Sequence, residues 1–121
     1  MIPPIFPVLF ASEEVKALLG SSPLRVFPFG MVEERPVYPY AVWQVSSGLP
    51  ENYVSGLPDV DNFTTQIDVW GTTPDSVLAC AEAMRDAIEP VAHITFWRGQ
   101  SRDPDTKNYR YTFEVDWYVN R

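Results

Sequence analysis

The sequence predicts one small α+β domain: a mixed or mainly antiparallel sheet of about five strands with two helices, in the order α-β-β-β-α-β-β. Two stretches and the bulk composition carry that prediction. In residues 63–71 (FTTQIDVWG), Phe63, Thr65, Ile67 and Val69 share one face while Thr64, Gln66, Asp68 and Trp70 share the other, the period of a strand. Within three residues the period becomes that of a helix. In residues 108–119 (NYRYTFEVDWYV), Tyr109, Tyr111, Phe113, Val115, Trp117 and Val119 alternate with Arg110, Thr112, Glu114 and Asp116. The chain has 121 residues, 45% of them hydrophobic, 14% aromatic and 21% charged, enough apolar material for a single core.

Taken in order, residues 4–19 read as the first helix, with a break expected near Ala11. Ser12 is a good N-cap with Glu13 and Glu14 behind it, Val15, Leu18 and Leu19 supply an apolar face, and Gly20 is placed to end the helix. Residues 24–29 (LRVFPF) read as a short strand that Pro28 confines to a sheet edge, and residues 30–39 as a loop. Residues 40–46 (YAVWQVS) form a strand with apolar groups on both faces, so it is central or covered by another subunit. Residues 47–61 (SGLPENYVSGLPDVD) hold two glycines and two prolines and read as a loop, of about fifteen residues where about five is usual. It carries Leu49, Tyr53, Val54, Leu57 and Val60, apolar groups that either fold down on their own domain or meet a partner.

The second helix starts with Thr73 as cap and Pro74 in the first turn and ends at Pro90; Val77, Cys80, Ala81, Met84 and Ile88 fall on one face and Asp75, Glu82, Asp86 and Glu89 on the other. Residues 92–98 (AHITFWR) and 108–119 then pair as a long hairpin about the turn signal at Asp103-Pro104-Asp105-Thr106.

Composition narrows the functional classes. With Lys plus Arg at 9 and Asp plus Glu at 16, the net charge of −7 opposes a grip on nucleic acid. Cys80 and His93 are the only residues of their kinds, which excludes cysteine- or histidine-based metal sites and intrachain disulfides. No apolar run reaches the roughly 18 residues of a membrane span, so a soluble protein is expected, and the apolar start lacks the basic residues of a signal peptide and reads as retained structure.

Three constellations are candidates for chemistry. Asp68, Glu114 and Asp116 lie on the polar faces of strands expected to be neighbours, and paired carboxylates can do acid–base work; solvent-facing strand positions are also commonly acidic. Asp59 with Asp61, and Asp103 with Asp105, have calcium-loop spacing but lack the glycine and terminal glutamate that complete such a loop. Cys80 projects from an apolar helix face, as a core cysteine does, and pairs with His93 only if the fold unites them.

Five segments read together bring a family into view: Arg25-Val26-Phe27-Pro28-Phe29-Gly30, Pro39-Tyr40-Ala41-Val42-Trp43-Gln44, Gly48-Leu49-Pro50-Glu51-Asn52-Tyr53, Gln66-Ile67-Asp68-Val69-Trp70 and Arg102-Asp103-Pro104-Asp105-Thr106. In order and spacing the chain resembles the tail completion proteins of long-tailed bacteriophages, the tail terminator or head-to-tail joining family, over residues 1–121. The resemblance implies a structural virion protein, assembled in the bacterial host cytoplasm and resident in the tail or neck. It implies a hexameric ring of identical copies that caps the tail tube protein, joins the head-neck connector protein and lets DNA pass without specific binding. No cofactor, metal or catalytic residue comes with it, and no membrane. The 47–61 loop becomes an assembly contact, giving Leu49, Tyr53, Val54, Leu57, Asp59, Val60 and Trp70 as expected interface residues. The rival expectation is a small enzyme or ligand-binding domain built on Asp68, Glu114 and Asp116.

Overall fold

The computed structural model describes residues 2–54 and 56–121. Its elements are α1 (Ile5–Phe10), α2 (Glu13–Leu19), β1 (Val26–Pro28), β2 (Tyr40–Pro50), β3 (Val60–Gly71), α3 (Pro74–Ile88), β4 (His93–Arg102) and β5 (Tyr109–Asn120). The strands form one mixed, open sheet in the order β1-β2-β3-β5-β4, parallel only between β1 and β2. The helices cover one face. Val77, Cys80, Met84 and Ile88 of α3 are fully buried with Ile67 and Val69 of β3 and Phe113 and Val115 of β5. At about 1.5–3 kcal/mol for each large apolar side chain removed from water, this layer dominates the favourable side of folding. No helix is long and apolar enough to cross a membrane among the described residues.

The break expected near Ala11 is present: residues 4–19 form two helices, which makes three among the described residues where two were expected. Ser12 takes an extended backbone (ψ 121°) and its hydroxyl accepts the Val15 N–H at 3.2 Å, so a new helix begins there. Pro7 is tolerated in α1 because it sits in the first turn, whose N–H groups have no intrahelical partner. The long loop is also shorter than 47–61. β2 runs on to Pro50 and β3 starts at Val60, leaving 51–59 as the connection. The reason lies at a bulge between Val45 and Ser47, which shifts the register by one residue. Before it Ala41 and Trp43 oppose Val69 and Ile67 on the helix side; after it Gly48 opposes Phe63 and Leu49 moves to the other face. A Cβ on Gly48 would lie 2.7 Å from the Phe63 ring, so the glycine that reads as a loop residue is what lets the strand continue.

The strand-to-helix passage at 71–74 forms as the periodicity implies. Thr73 accepts the Ser76 N–H at 3.1 Å, Pro74 opens α3, and Gly71 lets the first helical turn approach, since a Cβ there would meet Val77 Cγ1 at 2.9 Å. Along β3 burial alternates without a break, odd-numbered residues inward and even-numbered ones outward.

Deep within the buried side lies the fully buried Thr65, whose hydroxyl accepts the Trp117 indole N–H at 3.0 Å. Thr65→Val keeps the shape but orphans that donor, so a loss of about 1–3 kcal/mol is expected in urea unfolding with the m-value unchanged. A neutral substitution would show that the indole finds another acceptor.

Candidate functional site

The far end of the β2–β3 hairpin is the most exposed apolar feature of the chain. β1 pairs only with Ala41–Trp43, so among the described residues no strand covers that edge of β2 beyond this point, and every residue from Val45 to Pro50 is exposed. Leu49 is 67% exposed, Tyr53 53%, Leu57 89% and Val54 wholly so. These side chains do not fold down onto their own domain. Of the other expected interface residues, Asp59 is exposed, Val60 is half-buried at the start of β3, and Trp70 is half-buried at its opposite end.

The connection is nevertheless tied at its base. Glu51 donates its N–H to the Val60 carbonyl at 2.9 Å, and Tyr53 donates its hydroxyl to Asp59 Oδ1 at 2.9 Å. Arg121 grips Asp61 with two parallel bonds, Nε to Oδ2 at 3.0 Å and Nη2 to Oδ1 at 2.9 Å, while Nη1 reaches the Pro58 carbonyl at 3.2 Å and its own N–H reaches the Asp59 carbonyl at 2.8 Å. A bidentate guanidinium–carboxylate pair fixes direction as well as distance. Hydrogen bonding from Arg121 holds the Asp61 carboxyl below the usual carboxylate range, against the opposing effect of burial. The result is a projecting arm with a clamped root and apolar side chains in solvent. Sequence reasoning missed Arg121, 60 residues from Asp61; pairing the two alternating strands end to end, Val60 with Asn120, would have placed them together.

The sheet's other face is uncovered over its centre and carries a polar ladder. Across β3 and β5, Thr64 faces Asp116, Gln66 faces Glu114, Asp68 faces Thr112 and Trp70 faces Arg110. Each carboxylate of the expected catalytic trio already has a donor. Thr64 donates to Asp116 at 2.8 Å, Thr112 and Gln66 donate to Asp68 at 2.6 and 3.2 Å, and Arg98 pairs with Glu114 at 2.7 Å. Two of the acids lie on β5 and one on β3, each directly opposite a neutral residue of the neighbouring strand. His93 is exposed on this face, opposite Asp116, whereas Cys80 is buried on the helix side with its thiol pushed up to about 11 by burial. The sheet separates the two, and at neutral pH the thiol is protonated. Among the described residues no group of three or more His, Cys, Asp and Glu is placed to hold a metal.

At the end of β3 remote from the arm, the Arg110 guanidinium lies 5.2 Å from the Trp70 ring and donates from Nε to Ser101 at 3.1 Å. Arg102 lies 5.0 Å from the Tyr109 ring and donates from Nε to the Lys107 carbonyl at 3.0 Å. Neither guanidinium meets a carboxylate among the described residues.

An open sheet backed by helices, a clamped apolar arm and carboxylates engaged in cross-strand bonds define a two-layer α+β scaffold whose most distinctive surface is an exposed apolar arm. The tail completion protein gp17 family matches residues 3–120, and the chain belongs to that family. A chain from the virion of a native gene transfer agent (GTA) particle superposes with a TM-score of 0.76 at 16% identity, over 97% of this chain and 92% of that one. The gp17 protein of bacteriophage SPP1 superposes with a TM-score of 0.59 at 17% identity, over 97% of this chain and 86% of that one. At such identities the likeness is one of fold. A comparison with curated protein sequences found no match. Membership of the family makes this a structural protein of the phage tail.

The Asp61 carboxyl has a lower pKa folded than unfolded, so its contribution to stability is present in full above about pH 4 and is lost as pH falls through the lowered value. A carboxyl-carbon NMR titration should place the Asp61 midpoint below about 3.9. In Arg121→Gln the midpoint should rise and amide exchange at Glu51 and Asp61 should quicken; an unmoved midpoint would show that Arg121 does not hold the arm's root.

Proposed function

We propose that this chain completes the phage tail by closing into a ring of six identical copies on the end of the tail tube and presenting the ring's other side to the head-neck connector. DNA passes through the ring without being bound specifically, and the protein works by assembly, without catalysis. It meets its partners in the cytoplasm of the bacterial host and stays in the finished neck.

The observation that carries this reading is the clamped arm. A free loop of this length would gain entropy by moving, and an idle one would not hold Leu49, Tyr53, Val54 and Leu57 in water. Fixing its root to Arg121 lowers the ordering cost of docking it against a partner. The open sheet supports the same reading, since it offers flat, half-buried polar and aromatic surface of the kind found in subunit contacts. The net charge of −7 keeps duplex DNA from adhering to the assembly. The polar ladder offers the rival catalytic reading no free carboxylate to build on.

Replacing residues 52–57 by a short Gly-Ser turn should leave the far-ultraviolet circular dichroism and the melting temperature within a few degrees of the parent, because the apolar side chains of Tyr53, Val54 and Leu57 are largely exposed. The same variant should lose concentration-dependent association in sedimentation and fail to bind isolated tail tubes in negative-stain images. Unfolding of the variant, or full association without the arm, would reject the reading.

A further inference from the structure

The expected interface residues fall into two groups that no single copy can bring together. Leu49, Tyr53, Val54 and Leu57 sit on the arm, whereas Trp70 lies ten residues along β3 from Val60, about 30 Å away at the rise of a strand. The two ends also differ in their ionic groups. The arm carries Glu51 and Asp59, and the Asp61 charge at its root is met by Arg121. The opposite end carries Arg102 and Arg110 in a cleft of about 270 Å³ whose wall also holds Trp70, Ser101, Pro104 and the turn aspartates Asp103 and Asp105. Asp103 is committed to its own turn, accepting the Asp105 N–H at 2.8 Å, while the guanidinium ends of Arg102 and Arg110 have no acidic partner among the described residues.

We propose that the arm of one copy docks in the Trp70–Arg102–Arg110 cleft of a second copy, with Glu51 and Asp59 meeting the two guanidinium groups and an apolar arm side chain packing against Trp70 and Pro104. The contact rests on the ring reading and gives it a geometry. Because each copy has one arm and one cleft at opposite ends of the same strand, the contact is heterologous. Repeated, it closes a ring if the rotation between copies closes and otherwise continues as a filament. The occupant is a second copy and not nucleic acid, because Asp103 and Asp105 in the cleft wall and the net charge of −7 oppose phosphate, while the two guanidinium groups beside Trp70 and Pro104 suit a segment that brings carboxylate and apolar groups together. The stacking of Arg110 on Trp70 and of Arg102 on Tyr109 holds both cations in place before the partner arrives.

The test is charge reversal read by sedimentation velocity over a concentration series, with folding checked by circular dichroism. Glu51→Arg and Arg110→Glu should each weaken self-association at least about tenfold, since like charges then face one another. An equimolar mixture of the two should recover association, because each variant's arm fits the other's cleft. Should Arg110→Glu disturb the Trp70 stack, Arg102→Glu serves as the partner variant. If the wild-type chain associates and caps tails while these variants behave like it, or if mixing restores nothing, this contact is wrong and the ring stands on another surface. A wild-type chain that stays monomeric and leaves tails uncapped would remove both readings.

Discussion

Strand β3 is paired on both sides, with β2 from Asp61 to Trp70 and with β5 from Val60 to Gly71, and its unbroken alternation decides which face of the sheet is buried. A slip of one residue would drive Gln66 and Asp68 into the helix layer and carry Ile67 and Val69 into water. The cost of burying an unpaired carboxylate and exposing two fully buried aliphatic side chains rules that register out. The remaining structure follows from this choice. α3 can settle only on the odd-numbered side, α1 and α2 pack against α3, and the polar ladder is left facing outward with every carboxylate supplied by a neighbour.

That division of labour bears on function. The helix side supplies stability through Phe113, Val115 and the buried face of α3, so the other side and the arm are free of that duty. The arm shows the same economy. Its root is held by Arg121, Glu51 and the Tyr53 hydroxyl, all through polar contacts, while Val54 and Leu57 stay almost wholly in solvent. Residues that bury little area in their own domain yet are held in position are suited to bury it elsewhere.

How much of this was legible depended on whether burial was one-sided. β3, α3 and β5 each set an apolar face against a polar one, and their periodicity is plain in the chain. The end of β2 is exposed on both faces, so residues 46–50 carry no alternation, and Gly48 and Pro50 disguise a strand as a loop. What extends it is pairing with β3, a long-range effect that no local window contains. The split between α1 and α2 turned on Ser12, whose capping role and the break near Ala11 were both legible in the chain. At the candidate site the apolar arm residues were evident as a surplus in a loop, and Trp70 as a strand aromatic. The clamp of Arg121 on Asp61 and the unpaired Arg102 and Arg110 emerge only when the β3–β5 register is known, because charge partners 60 residues apart leave no mark on spacing.

The register also limits what assembly is available. β4, the edge strand beyond β5, is broken by two bulges and bears Arg98 and Arg102, while β1 shields β2 for only three residues before the bulge at Val45. Bulges, charges and a terminal proline are the devices that keep sheet edges from pairing indiscriminately. A ring built by adding strand to strand would have to overcome all of them at both edges. Contact through the ends of the sheet avoids the edges altogether. In the proposed contact the acidic, apolar arm lies at one end and the cleft with the Arg102 and Arg110 guanidinium groups at the other, so the axis of β3 would run from one neighbour toward the next. The strand that fixes the core register would then also set the spacing between copies.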